Sequence, residues 1–222
     1  MRSPFSPLPL VAFIALLALL VLAVQLGALT VAFDKLGLSP LSAFILLFAS
    51  LLGSAVNVPL AWLRAESTAA VAPPPRWQRL LRHPRREFHG RTLLAVNVGG
   101  CVIPVAFSAY LLVHSHLPWL QVVAGVSVIT VLSYVASRPI AGIGIGMPLL
   151  LAPIAAAIIA LLLNPVHSAP LAYVSGTLGV LIGADLLHLR DIRKLGAVQA
   201  AIGGAGTFDG IFVTGVMAVL LA

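Results

Sequence analysis

The chain has 222 residues, 60% of them hydrophobic and only 9% charged, with a mean hydropathy of +1.10. A soluble domain usually carries about 25% charged residues, so the composition argues against one, and with Cys101 as the single cysteine it also excludes a disulfide scaffold. The formal charge of +7 does not point to nucleic acid, because the basic residues sit in short stretches between long apolar runs, as in membrane proteins.

In chain order, seven apolar stretches approach the roughly 20 residues that a helix needs to cross a bilayer. They cover residues 8–32, 41–63, 92–113, 119–136, 147–163, 171–189 and 196–222. None alternates with period two, which disfavours a β-barrel. The expected fold is therefore all-α: a polytopic transmembrane helical bundle of about seven spans, forming one domain over residues 1–222. The first stretch, longer than the apolar part of a signal peptide, is expected to be retained as a span. Twelve of the 13 lysines and arginines fall on one side if the N-terminus is cytoplasmic and the C-terminus outside. Lys35, beside Asp34, is the exception. The expected location is the plasma membrane of a prokaryote, with the lipid bilayer as the first partner.

Residues 65–91 form the one sizeable polar connection. Pro73, Pro74 and Pro75 stiffen its entry. Trp77, Leu80 and Leu81 then share a helical face, with Arg76, Arg79 and Arg82 around them and Arg85 and Arg86 following. Two readings stand: an interfacial helix drawn to anionic lipid headgroups, or a solvated basic linker that sets topology. No aromatic stacking platform accompanies the arginines, so no nucleic-acid partner is expected.

Of the six acidic residues, Asp185 and Asp209 alone fall within apolar stretches. An ionisable group at bilayer depth costs about 2.5–3.5 kcal/mol on insertion scales, so two such groups suggest function. A hydrogen-bonded structural carboxyl is the alternative. Two carboxyls that face one another share a proton, and one then acts as base toward water while the other acts as acid toward a carbonyl. A regular helix from residue 196 would set Asp209 much deeper than Asp185. Gly203, Gly204 and Gly206 offer an unwound entry that would bring the two closer to level. Gly179 and Gly183 form a small-xxx-small pair suited to helix packing. Gly142, Gly144 and Gly146 alternate with Ile143 and Ile145. They read either as a tight connection between helices or as an extended edge that accepts an unwound peptide by strand addition. Arg138 could pair with Asp185, or reach toward the interface to set topology.

The blocks RPIAGIGIGMP (138–148), APLAYVSGTLGVLIGADLLHL (169–189) and GGAGTFDGIFVTGVMAVLLA (203–222) resemble an uncharacterised family of prokaryotic multipass membrane proteins, known as a domain of unknown function, over roughly residues 95–222. The resemblance implies a membrane location and no particular activity. The chain also resembles, more distantly, the presenilin and signal-peptide-peptidase class of intramembrane aspartyl proteases. That resemblance implies catalytic roles for Asp185 and Asp209, with Gly206 at the first glycine of a Gly-x-Gly-Asp motif. Phe208 stands at the second glycine position, and Ala184 where a tyrosine precedes the first aspartate.

There is no HExxH, P-loop or CxxC motif, and neither a cofactor nor a metal is expected. His114, His116 and His167 could gather on one side as metal ligands, but read more simply as interfacial side chains. Cys101 reads as a small core residue. Ser108 lacks a histidine–acid pair, which disfavours serine chemistry. The leading expectation is an intramembrane di-aspartyl hydrolase acting on a transmembrane peptide substrate. The alternatives are a proton- or cation-coupled transporter or channel using the same carboxylates, and a membrane scaffold or assembly factor.

Overall fold

The computed structural model describes residues 27, 30–66, 90–140, 144–204 and 210–222. After helical residues 30–35, Ser39 caps helix α1 (Pro40–Gly53) by accepting a hydrogen bond from the Ser42 N–H at 3.2 Å, with Pro40 in the first turn, where it costs no backbone bond. The chain then extends into strand β1 (Asn57–Arg64), which pairs antiparallel with β2 (Arg91–Asn97). The register shifts between Pro59 and Ala61. Pro59 is tolerated there because β1 is an edge strand and needs no second ladder. A π-helical turn (Val98–Val102) leads into α2 (Ile103–His114), and α3 (Trp119–Ala136) follows. Short strands β3 (Arg138–Ile140) and β4 (Gly144–Gly146) pair antiparallel. Next come α4 (Leu151–Leu163) and α5 (Ser168–Val180), the latter continued by a second π-helical turn (Leu181–Leu186). A 3₁₀ turn (Asp191–Lys194), strand β5 (Gln199–Ile202) and α6 (Gly210–Leu221) complete the order. β5 lies parallel to β2, so the larger sheet runs β1-β2-β5.

Helix α5 is the centre of the molecule. Every residue in it except Leu178 is buried, and α2, α3, α4 and α6 pack around it. Small residues permit the approach. A Cβ at Gly179 would stand 2.6 Å from Ile129, and one at Gly183 would stand 2.9 Å from Ser133 Cβ and 2.3 Å from the Thr130 carbonyl oxygen. The small-xxx-small pair thus packs against α3, which runs parallel to α5. On the opposite side α6 runs antiparallel: Gly215 rests on Tyr173 and Thr177, and Ser168 Oγ donates to the Ala222 carbonyl at 3.2 Å. The Phe107 ring on α2 meets Tyr173 edge-on, with centroids 4.9 Å apart.

The outer helices turn apolar side chains outward. α1 exposes Leu41, Phe44 and Ile45, α3 exposes Leu120, Val123 and Val131, and α4 exposes Ile158 and Leu162. Among the described residues, two helical stretches are long and apolar enough to cross a membrane: α3, with 18 residues, and Ser168–Leu186, with 19. The first is 22% buried and the second 78%, so they are respectively a peripheral and a central helix.

An all-α bundle of about seven spans is therefore incorrect. Stretch 41–63 divides into α1 and β1, stretch 92–113 into β2, a π turn and α2, and stretch 196–222 into β5 and α6. Stretch 147–163 contracts to the 13 residues of α4, about 20 Å at 1.5 Å per residue and short of a 30 Å core. Most of stretch 8–32 lies outside the described residues. The physical reason is that an apolar run has the same hydropathy as strand or helix, and here pairing across the sheet satisfies the backbone instead of the i→i−4 bonds of a helix. The assignment of a cytoplasmic N-terminus and an outside C-terminus rested on an odd number of spans, and falls with it.

Candidate functional site

Asp185 lies in the π-helical turn that ends the central helix. Such turns insert a residue into a helix, leave its backbone bonds irregular and are frequent at functional sites. The carboxyl is half-buried, and its Oδ2 accepts a hydrogen bond from the Gly203 N–H at 2.7 Å. Gly203 follows β5 directly and adopts a φ of +81°, with Gly204 at +87°. Both values lie in the left-handed region that only glycine enters without strain. A Cβ at Gly203 would stand 2.7 Å from both Cβ and N of Cys101, in the other π turn. The Asp185 carboxylate, the end of β5 and the turn after β2 therefore converge at one point. Strand β5 is held there by its parallel pairing with β2 and by Thr92 Oγ1, which donates to the Ala197 carbonyl at 2.8 Å.

Two further features lie at the same π turn, on or against residues Gly183 and His188. Buried His188 places Nδ1 3.1 Å from the Gly183 carbonyl oxygen, and its ring centroid lies 4.8 Å from that of Tyr134. Along α3, the side-chain oxygens of Thr130, Ser133 and Ser137 are buried and have no hydrogen-bond partner among the described residues. Two of them, Thr130 and Ser133, lie where Gly183 meets α3. The sequence carried this signal as hydroxyls three and four residues apart on one helical face, but the row becomes meaningful only once the π turn lies against it.

The other candidates are distributed as follows. Asp209 and Gly206 lie outside the described residues, as do Gly142 and Arg76, Arg79, Arg82, Arg85 and Arg86. Gly204 immediately follows Gly203 in the turn. Gly144 and Gly146 form β4, where they pair with Ile140 and Arg138. Arg138 is exposed, and among the described residues no ion pair joins it to Asp185. His114 is engaged by the Tyr110 carbonyl at 2.9 Å and stacks on the Tyr110 ring. Among the described residues no group of three His, Cys, Asp or Glu side chains converges as a metal site would require. Ser108 Oγ donates to the Pro104 carbonyl at 2.8 Å, so its hydroxyl is spent within its own helix.

The turn at Gly203 predicts a graded substitution result. Gly203→Ala combines left-handed strain with overlap on Cys101 and is expected to cost about 2–4 kcal/mol. Gly37→Ala, at φ +72° with nothing within 4 Å of the added Cβ, carries the strain alone and should cost about 1 kcal/mol. Thermal unfolding in detergent measures both, and equal melting shifts would show that Cys101 does not press on the turn.

Comparison with curated proteins and with solved structures returned no match. One family profile, described as "Protein of unknown function (DUF1614)", matches residues 51–221. The match begins upstream of the roughly 95–222 over which the sequence blocks had suggested kinship, and it takes in β1 and the 65–91 connection. With most of its length covered, this chain belongs to the DUF1614 family.

Proposed function

We propose that this protein is an integral membrane aspartyl hydrolase of the prokaryotic plasma membrane, in which Asp185 works with Asp209 to cleave a peptide bond of a membrane-embedded substrate. The observation that carries the reading is the 2.7 Å bond from the Gly203 N–H to Asp185 Oδ2. It ties the first aspartate to the glycine turn that precedes the second aspartate by six residues in the sequence. The antiparallel packing of α6 on α5 supports the pairing, because α6 begins at Gly210 toward the end of α5 from which Asp185 extends. The outward apolar faces of α1, α3 and α4 support the membrane setting, since contiguous exposed apolar surface on this scale suits lipid rather than water.

In this reading the ionised carboxyl of the pair takes a proton from water as the water oxygen attacks the carbonyl carbon. The protonated carboxyl hydrogen-bonds the carbonyl oxygen, and a proton then passes to the leaving amine as the C–N bond breaks. The Gly203 N–H occupies one lone pair of Asp185 and holds its orientation. The Thr130, Ser133 and Ser137 hydroxyls give the adjacent seam a polar lining. Strands β3 and β4 pair with each other, and Gly144 and Gly146 carry no side chain to obstruct an added strand. The two-aspartate plan is the one that the resemblance to presenilin-type proteases suggests, with Gly206 and Phe208 at its glycine positions.

The test has two parts. Purified protein in proteoliposomes is expected to convert labelled transmembrane peptides into discrete fragments, read by mass spectrometry. In a Cys101→Ala background, the double variant Asp185→Cys/Asp209→Cys is expected to be cross-linked intramolecularly by a short bifunctional thiol reagent, because paired carboxyls put the two side chains in contact while their Cα atoms can lie beyond the roughly 7 Å limit of a direct disulfide. A folded double variant that does not cross-link, or a wild-type protein that cleaves no peptide, rejects the proposal.

A further inference from the structure

At the end away from the Val98–Val102 π turn, the β1–β2 ladder finishes in a pair of arginines. Arg64 and Arg91 stand directly across from each other in the register, and the next step of the ladder is closed by the Ala65 N–H donating to the Gly90 carbonyl at 3.0 Å. Facing residues of an antiparallel pair share one side of the sheet, and like charges there repel. Both arginines are exposed, and among the described residues neither has an ion pair. The tertiary structure adds charge of both signs at this corner, with cations in excess: Arg193 and Lys194 against Glu66 and Asp191. The Glu66 N–H donates to the Arg193 carbonyl at 2.9 Å, which brings exposed Arg193 and Lys194 beside the strand end. Lys194 is satisfied by Asp191 at 2.9 Å, whereas Arg193 has no ion pair among the described residues.

Next to this cationic corner lies an apolar surface that a water-facing strand would not carry. Trp62, on the same sheet face as Arg64 and Arg91, is 63% exposed, and Leu60, at the register shift, is 58% exposed. Helix α1, which precedes β1 in the chain, also exposes Phe44, Ile45 and Leu52. Tryptophan with its ring in apolar surroundings and cations a few residues away is the arrangement that holds a protein at the headgroup level.

From this juxtaposition we infer that β1 is a docking strand for anionic phospholipid: Trp62, on the sheet face that carries the arginine pair, enters the interface while Arg64 and Arg91 together bind a headgroup phosphate. The phosphate removes the repulsion between the facing guanidiniums, and Arg193 enlarges the positive field. The inference rests on the membrane setting of the proposed function but not on its hydrolytic chemistry.

The test uses tryptophan quenching in proteoliposomes of the full chain. A Trp77→Phe/Trp119→Phe protein leaves Trp62 as the reporter, and a Trp62→Phe/Trp77→Phe protein leaves Trp119, exposed on the peripheral helix α3, as the membrane control. Trp62 is expected to be quenched about twofold more by brominated phosphatidylglycerol than by brominated phosphatidylcholine, and this preference is expected to vanish in Arg64→Gln/Arg91→Gln. Equal quenching by the two lipids, or a preference that survives the arginine changes, overturns the headgroup assignment. Quenching of Trp119 without quenching of Trp62 overturns the docking strand and leaves the membrane setting intact. Quenching of neither overturns both.

Discussion

Asp185→Asn is expected to lower peptide cleavage by about 100- to 10,000-fold, the range that a positioned acid or base contributes. The substitution keeps the side chain's size and an oxygen that still accepts the Gly203 N–H, so the turn after β5 should hold and the melting temperature should barely move. What it removes is the ability to exchange a proton. Asp209→Asn should produce a loss of the same order if the two carboxyls share one proton, and the double variant should be little worse than either single one, because groups that act as a unit are strongly non-additive. Initial rates in proteoliposomes, read beside thermal unfolding of the same preparations, separate this from a structural role. A purely structural carboxyl predicts the reverse pattern, a lowered melting temperature with turnover retained. Cleavage at wild-type rate by a well-folded Asp185→Asn protein would end the hydrolase reading.

The largest effect on folding is expected at Gly99. A Cβ there would stand 2.0 Å from the Ser50 carbonyl oxygen, 2.3 Å from the Ser54 nitrogen and 2.8 Å from the Gly53 carbonyl carbon. All three are backbone atoms of α1 and its cap, so no rotamer change can make room. The contact is fastened on both sides. Ser50 Oγ donates to the Gly99 carbonyl at 2.7 Å. The buried Asn97 side chain donates to the Ser54 carbonyl at 2.7 Å and to Asn57 Oδ1 at 3.0 Å, and accepts from the Gly100 N–H at 2.7 Å. Gly99→Ala must therefore lift α1 off the π turn and break that network. A cost of roughly 5 kcal/mol or more is expected, above the ordinary range for overpacking because backbone rather than side chain must move. Loss of monodisperse protein on size exclusion, with Gly125→Ala recovered normally, is the expected outcome. The added Cβ at Gly125 would meet the Ser175 side chain at 3.1 Å, and it is the milder case. A Gly99→Ala protein that melts like wild type would mean that α1 does not cross the turn this closely.

The amino-acid sequence alone determined the apolar character of the chain, the helix at 119–136, a helix over 171–189 that the structure places at 168–186, the packing role of Gly179 and Gly183, and the oddity of two aspartates within apolar stretches. These are local properties: hydropathy adds residue by residue, a small-xxx-small spacing is read along one helix, and a charge in an apolar run is visible wherever that run folds. Only the tertiary structure decided that 57–64, 91–97 and 199–202 are strands of one sheet. The hydrogen-bond partners of those backbones lie far away in the chain, and an apolar segment has the same hydropathy whether its N–H groups point along a helix or across a ladder. The same non-locality hid the partner of Asp185, a backbone N–H 18 residues on, and the meeting of Arg64 with Arg91 across a strand pair. A bond or a repulsion between two groups depends on the distance between them, and that distance is set by how the whole chain packs rather than by either residue's neighbours.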